Sequence, residues 1–298
     1  MFIKIRLILI LFVIIFHACG VKNNATQNPS PMEEHIRPHE RVDGSECRGI
    51  RLKLDSLFVN PIDVFILDHL TEGDTVDLVI HFHGSPIVTE WAACSNGRNL
   101  VVVSVNLGSG SSTYERPFSN TKLFQQLLLE FQSILEEHSL IGNRTILSGF
   151  SAGYGAIRAI LNKPKNHARV DGVLLLDGLH TDYVPEDLVL AKGGSLNTSK
   201  LEPFLDFAKL AVNGKKEFLF THSSIFPGTF ASTTECADYL INELGLSRKP
   251  VLKQGPLGMQ QVGLTEKGKF KVLAFAGNTA PDHIDHLHGF YYFIELLL

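Results

Sequence analysis

The chain has 298 residues, with 27 lysines and arginines against 31 aspartates and glutamates, 13 histidines and a formal charge of −4. Charge this close to balance, with no Lys/Arg run and no basic residues interleaved with aromatics, argues against nucleic acid as a partner and leaves small molecules or surface polymers. The length is ample for a large buried core.

Lys4 and Arg6 precede an unbroken apolar run from Leu7 to Phe16, followed by small residues up to Cys19 and Gly20. A basic start before a short apolar run is an export signal, because a membrane span needs about 20 apolar residues. Phe16-His17-Ala18-Cys19 resembles the lipobox of a bacterial lipoprotein, departing from the usual Leu-Ala-Gly-Cys. The resemblance implies removal of residues 1–18, lipidation of Cys19 and a protein held at a membrane, in the periplasm or on the cell surface. A plain secretory signal or an uncleaved anchor would equally place the remainder outside the cytoplasm. Residues 19–44 are rich in Asn, Pro, Glu, Gln and His with no apolar period, and read as a flexible tether. Residues 45–298 are expected to form one domain. Cys47, Cys94 and Cys236 leave an odd number of thiols in an oxidising compartment. Cys47–Cys94 is the preferred bridge, although spacing does not assign it, and no zinc motif is matched.

Residues 49–54 alternate as a half-buried strand should, and 64–67 read as a second. Residues 77–84 form a nearly continuous apolar strand ending in a turn at Gly84, Ser85 and Pro86. A fourth strand over 100–107 closes in the flexible run Gly108-Ser109-Gly110-Ser111-Ser112. Leu123, Leu127, Phe131, Ile134 and Leu135 place an amphipathic helix over 123–140. Further strands are expected over 145–150, 172–177, 217–221 and 270–276, with helices after the first of these, over 201–212 and from 284. Apolar strands alternating with helices predict a mostly parallel sheet covered on both faces.

The densest signal is Thr145-Ile146-Leu147-Ser148-Gly149-Phe150-Ser151-Ala152-Gly153, a strand running through Gly-x-Ser-x-Gly into a helix marked by Ala156, Ile157, Ile160 and Leu161. A strand that turns sharply into a helix strains its central residue, so small flanking residues are needed, and Gly149 and Gly153 supply them. The turn lifts the Ser151 hydroxyl above the sheet edge and sets the Ala152 amide at a helix N-terminus, where an anion is favoured.

In this order of elements, 49–298 resembles the α/β-hydrolase fold, with strand, loop, elbow, acid and final histidine in the sequence that family uses. The resemblance implies a serine hydrolase, foremost an esterase, with Ser151 as nucleophile and no cofactor or metal. It places the second oxyanion donor after the third strand, where many esterases have His-Gly-Gly-Gly. Here the loop is His81-Phe82-His83-Gly84-Ser85-Pro86, and because Pro86 has no N–H the candidates are Gly84 and Ser85. His81 and His83 read more simply as braces of that loop. The family's histidine follows the last strand, and His283 is the first to meet that description, ahead of His286, His288 and His222. The orienting acid is expected at a strand end. Asp177 closes 172–177, and the stretch from Thr221 to Gly228, where the family more often places it, contains no carboxylate. Asp182, Glu235 and Asp238 are reserves.

Two other readings stay open. His81-x-His83 and His283-x-x-His286-x-His288 suit a metal hydrolase, although a metallo-β-lactamase-like pattern wants Asp and His where Ser85 and Pro86 stand. A hydrolase fold can also persist as a non-catalytic binding lipoprotein. Residues 179–216, with Tyr183, Pro185, Gly193 and Gly194, are expected to cover the site, and Trp91 reads as a packing residue.

Overall fold

A computed structural model describes residues 41–42 and 47–298. The export signal, Cys19 and all of the tether except Arg41 and Val42 lie outside the described residues. Those two are packed against the domain: the Arg41 guanidinium pairs with Asp285, and Val42, 2% exposed, joins a core cluster. Among the described residues no helix is long and apolar enough to cross a membrane.

The sheet contains ten strands: β1 (Gly49–Leu54), β2 (Ile62–Leu67), β3 (Thr75–Phe82), β4 (Leu100–Val105), β5 (Ile141–Phe150), β6 (Gly172–Leu176), β9 (Glu217–His222), β10 (Lys249–Gln254), β11 (Gln260–Lys267) and β12 (Phe270–Phe275). A two-stranded ribbon, β7 (Tyr183–Val184) with β8 (Ser195–Leu196), stands apart from it. Across the large sheet the order is β1-β2-β4-β3-β5-β6-β9-β12-β11-β10. From β4 to β12 the pairing is parallel throughout, with antiparallel strands at both edges. This is the mostly parallel α/β architecture that the apolar strands predict.

Alternation along the strands sends successive side chains to opposite faces. Ile80, Phe82, Leu147 and Leu175 enter one core, under α2 (Ser111–Phe118), α3 (Leu123–Glu137), α4 (Tyr154–Leu161), α6 (Glu202–Val212) and α7 (Thr233–Glu243). Val79, Ile146, Phe150 and Leu174 enter the other, under α1 (Pro86–Ser95) and α9 (Phe290–Leu297). A short α5 (Pro164–His167) follows α4, and α8 (Ala280–His288) leads into α9. Because all six parallel strands run the same way, their carboxyl ends share one edge, where ligands bind in open parallel sheets.

Several elements were not visible in the pattern. The helix α1 starts with Pro86 at its first turn, a position that suits proline because the first N–H has no helical partner. A serine-rich stretch read as flexible becomes α2 despite Pro117, held by buried Tyr114 and Phe118. Edge strand β10 is exposed almost throughout and carries no alternation, and β11 alternates in burial but turns Gln261, Gly263 and Thr265 inward, so both escape a search for apolar periodicity. The C-terminal helix starts at Ala280 rather than 284 and is interrupted at Gly289.

Cys47 and Cys94 are bridged, with Cα atoms 5.8 Å apart, and Cys236 is buried and free. The bridge ties the start of the domain to the end of α1 across 47 residues of chain, a loop for which chain entropy gives about 4 kcal/mol. The Cys47→Ala/Cys94→Ala protein should lose about 2–4 kcal/mol in urea unfolding. An unchanged midpoint would mean that the bridge does not form in solution.

Candidate active site

Three neighbouring parallel strands end in non-glycine residues with left-handed backbone: His83 after β3 (φ 73°), Ser151 after β5 (φ 44°) and Asp177 after β6 (φ 43°). Such residues cost roughly 1–3 kcal/mol each and persist only where their surroundings fix them. Here the fixing is steric. A Cβ on Gly153 would sit 2.1 Å from the Phe82 carbonyl oxygen, and one on Gly178 would sit 2.4 Å from the Ser151 oxygen. The chain after Ser151 therefore lies directly on the end of β3, and the turn after Asp177 lies directly on Ser151.

Asp177 is 1% exposed, and its carboxylate is fully engaged. Oδ2 accepts from His283 Nδ1 at 2.7 Å, while Oδ1 accepts from the Ser223 amide at 2.9 Å and from Thr233 Oγ1 at 2.8 Å. Burial opposes ionisation, but at the acid pH where a carboxyl titrates the charge on His286, the hydrogen bond and charge of His283 and the Ser223 amide outweigh it and hold the carboxyl well below its ordinary range. An ionised acceptor at Nδ1 keeps the His283 proton there and leaves Nε2 as the basic nitrogen.

Local sequence explains how His283 arrives. Thr279 and Asp282 form a reciprocal capping box, Pro281 sits in the first turn, and the His283 amide donates to the Thr279 carbonyl. His283 is thus within the first helical turn rather than ahead of it. Its ring lies against Phe150, centroids 4.6 Å apart, and Phe150 also stacks with His83 at 5.9 Å and 6°. The residue just before Ser151 is therefore packed with two imidazoles.

The remaining predicted residues fall into place around this centre. Ala152 lies in a single 3₁₀ turn, Ser151–Gly153, and Gly84 and Ser85 lead into α1. The amides of Gly84 and Ser85 make no hydrogen bond to backbone among the described residues. His81 engages both ring nitrogens, with Ser148 Oγ at 3.0 Å and the His83 carbonyl at 3.1 Å. His83 Nδ1 meets the Tyr114 hydroxyl at 2.7 Å, and Tyr114 also binds the Leu107 amide and the Gly108 carbonyl. Both histidines brace the loop. His286 goes to Thr221 Oγ1 at 2.8 Å, while His222 donates from Nδ1 to the Ser223 carbonyl and accepts at Nε2 from Arg248. His288 is buried. Among the reserve acids, Asp182 pairs with Lys200, Asp238 with Arg248, and Glu235 accepts from Tyr183 and caps α7. Among the described residues no group of three His, Cys, Asp or Glu is placed to hold a metal ion. Trp91 packs edge-on against Tyr291 at 4.6 Å.

Thr233, Ser223, Phe150 and Tyr114 are site residues that motif reading passed over. One signal was present: Ser232-Thr233-Thr234-Glu235 is a capping-box sequence, and the box it forms fixes Thr233 at the first position of α7.

No family model matches the chain, and no curated protein matches it. Solved structures do. A variant of the esterase rPPE superposes with a TM-score of 0.48 at 14% identity over 91% of each chain. A cold-adapted esterase from an Arctic intertidal metagenomic library gives 0.43 at 14% identity, over 84% of this chain and 93% of that one. S-formylglutathione hydrolase from Staphylococcus aureus gives 0.42 at 13% identity, over 80% and 93%. These structural neighbours are esterases and a hydrolase by name, and identities this low say nothing about chemistry.

Burial depresses His286 and His222 to about 4, with the Arg248 charge adding to the effect at His222. Above pH ~6.5 both are neutral whether folded or not, with no effect on stability. Between about 6.5 and 4 the unfolded chain takes up protons that the folded one refuses, so stability falls as pH falls, by at most about 3 kcal/mol per histidine. Protonation of Asp177 adds a loss below the ordinary carboxylate pKa of ~3.9. Thermal melts should show the midpoint dropping steadily from pH 6.5 to 4, and a flat profile would contradict the burial of these imidazoles.

Proposed function

We propose that the protein is a serine hydrolase acting on carboxylic esters. The observation that carries this reading is the 2.7 Å hydrogen bond from His283 to buried Asp177, made beside a Gly-x-Ser-x-Gly turn whose serine is held at φ 44°. In this mechanism Ser151 Oγ attacks the acyl carbonyl and His283 Nε2 takes its proton, while Asp177 stabilises the imidazolium through Nδ1. The negative charge that develops on the carbonyl oxygen is received by the Ala152 amide and by the amide of Gly84 or Ser85. Collapse breaks the ester bond, and His283 returns the proton to the departing alkoxide. Water deprotonated by the same nitrogen then attacks the acyl-enzyme and frees the acid and Ser151. This chemistry needs no metal or cofactor.

His283 is preferred over His286 because only His283 donates to Asp177, whereas His286 is buried and depressed to about 4, too weak a base for neutral pH. Export through the N-terminal signal and lipidation at Cys19 would present the site to small or surface-bound esters outside the cytoplasm.

Intact-mass analysis after fluorophosphonate treatment should show a single adduct that Ser151→Ala abolishes. Ser151→Ala and His283→Ala should each lower kcat on an activated ester by about 10⁴-fold or more. Full activity in Ser151→Ala would overturn the reading. Thr233→Val removes one of the two donors to Asp177 Oδ1 and should lower kcat about tenfold with KM unchanged, as a positioning contact does. Metabolic labelling with palmitate should mark the wild-type chain and not Cys19→Ala; label on both would place any lipid elsewhere.

A further inference from the structure

The reaction leaves one histidine beside Ser151 without a task. Gly178 lies against the Ser151 backbone, and His180 follows it by two residues. Its ring is held edge-to-face between Tyr154, 5.6 Å away and three residues beyond Ser151, and Phe230 at 4.9 Å. Its Nδ1 donates to the Ala231 carbonyl at 2.8 Å, and its own carbonyl accepts from buried Arg158. These contacts fix both the orientation of the ring and its tautomer. Nε2 is left as a lone-pair acceptor with no hydrogen-bond partner among the described residues, on a side chain that is only half-buried. Burial lowers the pKa of His180, so at neutral pH the ring offers an acceptor and no charge.

The loop carrying Phe230 is pinned to the same centre at every turn. Ser223 and Thr233, at its two ends, both grip Asp177 Oδ1. Ser224 donates to the Gly277 carbonyl in the loop leading to α8, and Ala231 donates to the Thr181 carbonyl. Between these anchors the loop exposes Phe226 (58%) and Phe230 (40%), the two phenylalanines among the exposed large hydrophobic residues described. An exposed aromatic ring beside an oriented neutral acceptor, on a loop hydrogen-bonded to Asp177, supplies the two kinds of group, apolar surface and one orienting polar atom, that ligand sites combine.

We propose that His180 Nε2 and the Phe230 ring form a specificity subsite for a planar apolar group bearing a hydrogen-bond donor, of which a hydroxyphenyl ring is the simplest example. Its ring packs against Phe230 while its hydroxyl donates to His180, beside the carbonyl that Ser151 attacks. The assignment rests on the serine-hydrolase reading for the position of the ester, but not for the binding itself.

Binding is therefore measured on the full chain carrying Ser151→Ala, by isothermal titration with two matched pairs of esters. Methyl 4-hydroxyphenylacetate against methyl phenylacetate puts the ring on the acid side, and 4-hydroxyphenethyl acetate against phenethyl acetate puts it on the alcohol side. The hydroxylated member of one pair should bind roughly tenfold more tightly, the worth of one well-made hydrogen bond. Adding His180→Asn, whose amide nitrogen can still reach the Ala231 carbonyl but which presents nothing at Nε2, should bring that ratio to about one. Adding His180→Gln, which returns an acceptor near the Nε2 position, should restore part of the preference. Phe230→Ala should weaken both members of the preferred pair several-fold and leave their ratio intact. Equal binding within both pairs, or a preference that survives a folded His180→Asn, overturns the subsite; should that variant melt far below its parent, the Gln variant and the parental ratio decide. Hydrolysis by the wild-type chain separates the two ideas. Preferential binding with no ester cleaved would sink the hydrolase reading alone, and cleavage of all four esters with equal binding would sink the subsite alone.

Discussion

A carboxylate removed from water must find donors in the protein or lose its charge, and the carboxyl edge of the parallel strands is arranged around one such group. Asp177 takes its hydrogen bonds from three separate pieces of chain: the first turn of α8, the residue just after β9 and the first residue of α7. Each of those pieces is fixed locally, α7 and α8 by capping boxes and β9 by its place between β6 and β12 in the sheet. The carboxylate therefore does more than orient one imidazole. It ties together segments separated by more than a hundred residues, so that His283, the 223–233 loop and the turn after β6 are held in one geometry.

Strain is concentrated along the same edge. His83, Ser151 and Asp177 occupy left-handed backbone at the ends of three adjacent strands, and glycines stand where a side chain would collide with the neighbouring strand end. Left-handed backbone in non-glycine residues is unfavourable in isolation, and here tight backbone contacts and buried hydrogen bonds over-determine it. The loop after β3 shows the same economy. His81 holds the His83 carbonyl, Tyr114 holds the His83 ring, and burial keeps the Tyr114 phenol protonated, so the approach to Gly84 and Ser85 is set before any ligand arrives. In the proposed reaction, pre-set donors of this kind would stabilise developing charge without a cost in reorganisation.

Sequence carries this architecture unevenly. The parallel strands were legible because both of their faces are buried, which leaves a continuous apolar run, and the Ser151 turn was legible because its glycines answer to a local steric demand. Edge strand β10 was not, since one of its sides faces solvent and its residues Lys249, Lys253 and Gln254 obey no burial pattern. Helix α2 was hidden by Ser111, Ser112 and Pro117, residues of low helical preference that tertiary packing of Tyr114 and Phe118 overrides. Side-chain partners separated by long stretches of chain, such as Thr233 with Asp177 and Tyr114 with His83, leave no periodicity to read.

The two histidines of α8 show why environment, and not residue type, decides chemistry. His283 and His286 are one turn apart on the same helix, and the pattern around them ranks His283 first while leaving His286 as the alternative. The first meets a carboxylate and remains partly open, with its ring on Phe150 next to Ser151. The second turns inward to Thr221 and two phenylalanines, Phe275 and Phe293, and its Nε2 finds no hydrogen-bond partner among the described residues. Burial without a counter-charge in contact disfavours the protonated form, so His286 is neutral through the physiological range and cannot share the proton that the proposed reaction moves. A second basic imidazole beside His283 would compete for Asp177, and its positive charge would oppose formation of the imidazolium. Holding His286 neutral behind the site leaves a single group free to cycle its proton.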